Sequence, residues 1–203
     1  MESNSTYRKR ALANLEDKWF DAAIVAFVYF FIYQGINWVV GNFLGTTEGV
    51  AFNLAWMMLC FPLIWSFSAM FLDFIRGEKL ECGKLFNGYN DFVRIFIAYF
   101  LYFLIISIGC VFLIVPGIIF AFMFGLIPFI LKDDKKIGAV DALKKSAAMM
   151  KGHKMDMFLL YLSFIGWAIL SLLTLGIGFL FLSPYINTTV AHYYEDLKAE
   201  YGE

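Results

Sequence analysis

The residues best equipped for chemistry in this 203-residue sequence lie near its carboxy-terminal end, where Pro184, Tyr185, Asn187, Thr188 and His192 crowd into one short stretch. On a helix, Pro184, Thr188 and His192 recur at four-residue steps and share a face, with Asn187 beside it. Hydroxyl, amide and imidazole groups so placed can line a cavity for a small ligand or a lipid headgroup. The same groups also hold helices together by hydrogen bonds inside a membrane. A second cluster is basic. Lys136, Lys144, Lys145 and Lys151 lie on or beside the polar side of a segment whose Ile137, Val140, Leu143, Ala147 and Met150 mark an apolar helical face. Such a helix can rest on headgroups, each Lys near an anionic surface contributing roughly 1 kcal/mol. Asp133, Asp134 and Asp141 offset part of that attraction, the first two read as helix N-terminal residues that complement the dipole. The alternative is a structural belt under the bundle whose lysines face water.

The remaining chemistry is sparse. There is no H-E-x-x-H, no G-x-S-x-G and no P-loop, and only two histidines, His153 and His192. Cys60, Cys82 and Cys110 fall singly, without the spacing of a disulfide framework or a metal knuckle. No catalytic residue, metal-ligand set or cofactor motif is assigned, and the expectation is a protein that is not an enzyme. Asp21, Arg94 and Glu195 stand at the ends of apolar segments rather than inside them, which argues against an ion-driven pump. A net charge of -1 gives no reason to expect nucleic acid as a partner.

The elements that must position these residues follow from the charges. The chain is 61% hydrophobic and 16% charged, whereas about a quarter of a soluble domain is charged. Residues 22–47, 49–72, 95–131 and 157–194 contain no Asp, Glu, Lys or Arg. About 20 apolar residues cross a bilayer, so the first two runs each hold one span and the longer two each hold a pair joined by a turn. The fold class expected is all-α: a polytopic membrane protein of six transmembrane helices in three helical hairpins, with amphipathic cytoplasmic interfacial helices. The whole chain, 1–203, forms one integral membrane domain. Its spans fall at about 19–40, 50–72, 92–114, 117–131, 157–174 and 178–194. Residues 1–18 form an amphipathic amino-terminal segment with Tyr7, Ala11, Leu15 and Trp19 on one face, and 195–203 a tail. Trp19–Val40 is too long and aromatic for a cleaved signal peptide and is read as a retained span. Val115-Pro116-Gly117 and Thr174-Leu175-Gly176-Ile177-Gly178 are read as turns.

This arrangement puts all 16 Lys and Arg on one side, leaving Glu48 alone in the opposite loops. Cytoplasmic loops carry the basic excess, so both termini are expected in the cytoplasm of a multi-pass cell-membrane protein. A surface helix, an aromatic or acidic lead-in and a hairpin recur three times, though residue identity among the units is thin.

Several stretches resemble a bacterial membrane family catalogued as domain of unknown function nine-seven-five. They are Leu113-Ile114-Val115-Pro116-Gly117-Ile118-Ile119, Ser146 to Met150 followed by Lys151-Gly152-His153-Lys154, Ser163-Phe164-Ile165-Gly166-Trp167, and Leu175-Gly176-Ile177-Gly178 with Pro184-Tyr185. The likeness covers most of the chain, weakening before about residue 70. It implies a six-helix protein of the bacterial inner membrane with no assigned activity, architecturally similar to YciC-like membrane proteins and to the membrane part of some glycerophosphodiester phosphodiesterases.

Two functions remain in view: a non-enzymatic scaffold that engages lipids, anionic headgroups among them, and a membrane-protein partner or a second copy of itself; or a transporter or channel for a neutral or amphipathic, lipid-like substrate. A closely packed interior counts against the second, and a polar cavity favours it.

Overall fold

The computed structural model describes residues 2–38, 46–112 and 114–202. Among these there is no strand. Helix α1 (Asn4–Leu15) buries Tyr7, Ala11 and Leu15, the four-spaced stripe visible in the sequence, against α11 (Phe179–Tyr201). Helix α2 (Trp19–Phe30), prolonged by a wider π turn over Phe31–Gly35, buries only Ala22, Val25 and Ala26. Small residues on that strip let its backbone approach α11 closely, while Phe20, Phe27 and Phe31 point outward.

Helix α3 (Thr46–Leu59) gives way at Cys60 to α4 (Phe61–Ile75), with Pro62 in the first turn of α4, where a missing N–H costs nothing. Helix α4 is buried almost all round, and a run of 3₁₀ turns over Cys82–Asp91 folds back along it. At that contact Gly88 donates its N–H to Ser66 Oγ at 2.8 Å, and a Cβ there would stand 2.5 Å from the Pro62 carbonyl oxygen. Helix α5 (Phe92–Phe112) follows, then α6 (Ile114–Met123), α7 (Ile127–Asp133), α8 (Ala139–Met149), α9 (Lys154–Leu162) and α10 (Ile165–Leu173).

Four stretches are long and apolar enough to cross a membrane, among the described residues: Trp19–Trp38, Val50–Ile75, Cys82–Cys110 and Lys154–Leu173. The expectation of six is corrected to four on this criterion. The expected span at 117–131 is divided at Phe124-Gly125-Leu126 into α6 and α7, each too short alone, because Pro128 in the first turn of α7 cannot donate to the preceding turn. The expected span at 178–194 lies within a 23-residue helix, but Ser183, Asn187, Thr188, Thr189, His192 and the charges beyond Tyr194 dilute its apolar content. Its neighbours α1, α2, α4 and α10 cover that polarity.

Contacts at both ends define two pairings among these segments. Gly109 of α5 packs on Gly117 of α6, and Arg94 at the other end of α5 donates to the Leu131 carbonyl of α7 at 3.1 Å. The broken pair α6–α7 therefore runs antiparallel to α5. Likewise Gly178 abuts Ser171, and Tyr193 donates to the His153 carbonyl at 3.1 Å, so α11 runs antiparallel to α9–α10.

Helix stands where a turn was expected at 115–117. Leu113 lies outside the described residues, α6 begins at Ile114, and Gly117 serves a close helix contact instead. A Cβ on it would lie 2.2 Å from Cys110 Sγ. The turn at 174–178 is present, with Leu175 (φ 55°) and Gly176 (φ 90°) in the left-handed region. Gly176 there closes α10 by donating to the Ser171 carbonyl at 3.0 Å. Of the expected loop at 41–49, residues 41–45 lie outside the described residues and the rest begins α3.

Candidate functional site

The charged groups at the helix ends converge. Asp133, the last residue of α7, takes two hydrogen bonds from the Arg76 guanidinium, 2.6 Å at Oδ1 and 3.0 Å at Oδ2. Its Oδ2 also accepts from Tyr194 Oη at 3.0 Å and from Lys198 Nζ. Arg76 reaches on to Glu195 Oε1 at 2.6 Å. Burial alone would raise the Asp133 carboxyl, but the donors Arg76, Lys198 and Tyr194 outweigh it and hold it at about 2. Arg76 is pushed up, chiefly by its bonds to Asp133.

Around this centre, Lys132 Nζ pairs with Asp73 Oδ2 at 2.6 Å, and Arg10 of α1 with Asp196 at 3.2 Å. His153 lies 3.3 Å from Asp156 and 3.5 Å from Glu200. Arg94 donates to the carbonyls of Leu131 and Asp134, which the end of α7 leaves without helical partners. The network thus ties together α1, the end of α4, the start of α5, the end of α7, the start of α9 and the end of α11. Asp133 is accordingly no N-terminal residue of the following helix, as the sequence suggested. Asp134 caps a turn instead, accepting from the Lys136 and Ile137 N–H groups at 2.8 and 3.1 Å.

Asp73, Arg76, Glu195 and Lys198 were missed as a set. The signal was available: Asp73, Lys132 and Glu195 are the first charges after three of the uncharged runs, and Arg94 the last before one of them.

A cavity of about 330 Å³ opens beside the break between α6 and α7. Ser68 of α4, Tyr99 and Tyr102 of α5 and Tyr161 of α9 line it, with Gly125 and Pro128 at the break. Their four hydroxyls have no hydrogen-bond partner among the described residues, whereas carbonyls on either side of the break are satisfied. Buried Ser146 donates to Met123 O at 2.9 Å and Trp65 Nε1 to Pro128 O at 3.0 Å.

The polar face of α11 is bonded largely within its own helix, with Tyr185 reaching α1 and lining a cavity beside it. Pro184, Tyr185 and Thr188 are buried, and Asn187 and His192 half-buried. Thr188 donates to its own helix at Pro184 O (2.8 Å), Asn187 to Ser183 O (2.9 Å) and Thr189 to Tyr185 O (2.7 Å). Tyr185 Oη accepts from Arg8 Nε at 3.3 Å, and His192 Nε2 is buried without a partner.

Of the four lysines, Lys136 is exposed, Lys144 stands 3.7 Å from Asp141, Lys145 is half-buried and Lys151 is exposed just after α8. Helix α8 turns Ala142, Leu143, Ser146 and Met149 inward and packs on α5 and α7. Of the expected apolar face, Leu143 and Met150 are buried, Ile137 and Ala147 half-buried, and Val140 is exposed.

Residues 110–201 match the model of a family described as Protein of unknown function (DUF975), somewhat less than half of the chain and a later start than the expected residue 70. No curated protein and no solved structure matches the chain. The motifs that carried the resemblance all fall inside the matched region, and several of them serve the fold. Gly117 permits the α5–α6 approach, Ser146 closes the end of α6, Gly152 (φ 95°) turns α8 into α9, and Gly176 turns α10 into α11. From the end of α5 through α11 the chain is therefore similar to DUF975, a family described only as of unknown function.

Proposed function

We propose that the chain is a six-crossing protein of the bacterial cytoplasmic membrane, both its termini cytoplasmic, that acts without catalysis as a scaffold engaging lipid and a membrane-protein partner or a second copy. The observation that carries this is the charged network, which gathers the ends of α4, α7 and α11 and the starts of α5 and α9 at one end of the molecule. Two of the segments long enough to cross, Cys82–Cys110 and Lys154–Leu173, have α6–α7 and α11 running antiparallel along them. If the former cross, the latter cross with them, which supports a reading of six crossings. The divided and polar segments are tolerable there because neighbouring helices and side chains satisfy their backbone. The excess of Lys and Arg on the network side orients that end inward.

The test is single-cysteine labelling with a membrane-impermeant maleimide, in a background lacking Cys60, Cys82 and Cys110, on cells with a permeable outer membrane. A cysteine replacing Thr47 labels and one replacing Lys145 does not. The reverse pattern, or labelling of both, breaks the topology.

The cavity beside the α6–α7 break supports a second reading, transport of a neutral or amphipathic substrate. Broken helices at mid-membrane and unpartnered hydroxyls are the features such sites use.

A further inference from the structure

The groove between α6 and the start of α9 joins apolar walls to a pair of lysines, where two other apolar grooves carry a single cation each, Arg8 or Lys144. Its volume is about 830 Å³. Ile118, Ile119 and Phe122 of α6 form one apolar wall, Met155 and Phe158 of α9 the other, and Lys151 and Lys154 stand at its mouth with Gly152 between them. Ile118, Ile119, Met155 and Phe158 are all more than a third exposed although large and apolar. Phe122 meets Phe158 edge to face, centroids 5.8 Å apart, which fixes the floor. Gly152 holds φ 95° with open space where a Cβ would stand, so backbone is bare at the mouth.

The mouth lies at the charged end of the molecule, since His153 is bound by Tyr193 and neighbours Glu200. From there the apolar walls run outward by roughly two helical turns, on the order of 10 Å. Asp156 and Glu200 are the nearby acids, and both carboxylates lie against His153, at 3.3 and 3.5 Å. A lipid-facing surface needs apolar side chains, but it needs neither concavity nor paired cations at headgroup depth.

We propose that this groove is a site for one anionic phospholipid, its phosphate held between Lys151 and Lys154 and the upper part of one acyl chain laid between α6 and α9. The site rests on the membrane reading above and deepens it by naming the lipid class. Lys154 was not among the lysines singled out in the sequence, and Lys136 has no such groove beside it. An occupant with a phosphate and no chain would leave the apolar walls unused, and a zwitterionic lipid would meet the two ammonium groups with a cation of its own.

The experiment uses the purified full-length chain in mild detergent, titrated with phosphatidylglycerol or phosphatidylcholine of identical acyl chains and read by native mass spectrometry. The first bound phosphatidylglycerol is expected to be held about tenfold more tightly than phosphatidylcholine, each Lys contributing several-fold. The variant Lys151→Gln/Lys154→Gln removes that preference, whereas Lys135→Gln/Lys136→Gln, an equal loss of formal charge at exposed positions outside the groove, retains it. Glycerol phosphate at the same concentration does not displace the lipid. Equal losses in both double variants overturn the groove and leave a diffuse basic surface. No preference in the wild type overturns the groove and the lipid-engaging function together. Displacement by glycerol phosphate overturns the lipid assignment in favour of a soluble phosphate. Lys151 is exposed and Lys154 half-buried, so a circular dichroism melt matching the wild type is used to confirm that the variants are folded.

Discussion

Arg76 and Asp133, 57 positions apart in the chain, meet in a two-pronged ion pair with bonds of 2.6 and 3.0 Å. The Asp133 side chain is only 12% exposed, and Tyr194 and Lys198 fill its remaining acceptor positions. One carboxylate thus joins the ends of three helices. Removing it strands two cations around a half-buried hole. Asp133→Asn is expected to cost about 1–3 kcal/mol, less than a fully buried pair because Arg76 is 37% exposed. Arg76→Lys is expected to fall between wild type and Asp133→Asn, since an ammonium cannot supply the fork. Melting temperature in detergent checks both.

The same pair sets a dependence on acid. Asp133 sits at about 2 in the folded protein against an ordinary value of 3.8, so folding favours its ionised form. Its contribution is complete above about pH 4 and is lost as pH falls from there through about 2. The gap in stability between wild type and Asp133→Asn should therefore close over that window. A gap that stays constant down to about pH 2 would show that the carboxylate is not held low.

Close helix approach should be specific to position. Gly117→Ala places a methyl 3.0 Å from the Cys110 backbone nitrogen, and Gly178→Ala places one 2.7 Å from Ser171 Cα. Each is expected to lower stability by about 1–3 kcal/mol. Gly166, in α10, has open space where a Cβ would stand, so Gly166→Ala should be neutral or slightly stabilising. Thermal melts of the three variants decide it.

Within α11, side-chain donors return to their own helix, which changes what their loss should do. Thr188→Val is expected to cost under about 1 kcal/mol, because Pro184 O keeps its backbone donor. His192→Leu should be close to neutral, as His192 Nε2 already lacks a partner. A loss of about 3 kcal/mol in either would restore interhelical hydrogen bonding as their role.

The cavity at the α6–α7 break is expected to hold water. In the cysteine-free background, Ser68→Cys should react with a small charged methanethiosulfonate reagent at a rate that a bulky Gly125→Leu substitution slows at least several-fold. A thiol that reacts with neither a charged nor a neutral reagent would mark the cavity as dry and remove the support for transport.

The sequence by itself determined the all-helical character and the presence of helices long and apolar enough to cross a membrane, because uncharged apolar runs of 24 residues and more suit a helix that satisfies its own backbone within the segment. It also determined the buried stripe of α1 and the α10–α11 turn, each set by local spacing or by glycine at a left-handed position. Only the tertiary structure decided which charges meet. Asp73, Arg76, Asp133, Glu195 and Lys198 are separated by up to 125 positions and come together through the packing of α4, α7 and α11. Read from its neighbours alone, Asp133 is a local dipole partner. Helical periodicity places a residue on a face; it does not say which helix that face meets. For the same reason the hydroxyls and amide of α11 are legible as a cluster, while their return to Pro184, Tyr185 and Ser183 is not. The groove carrying Lys151 and Lys154 exists only because α6 stops short and α9 begins beside it, an adjacency set by packing between segments over 30 residues apart.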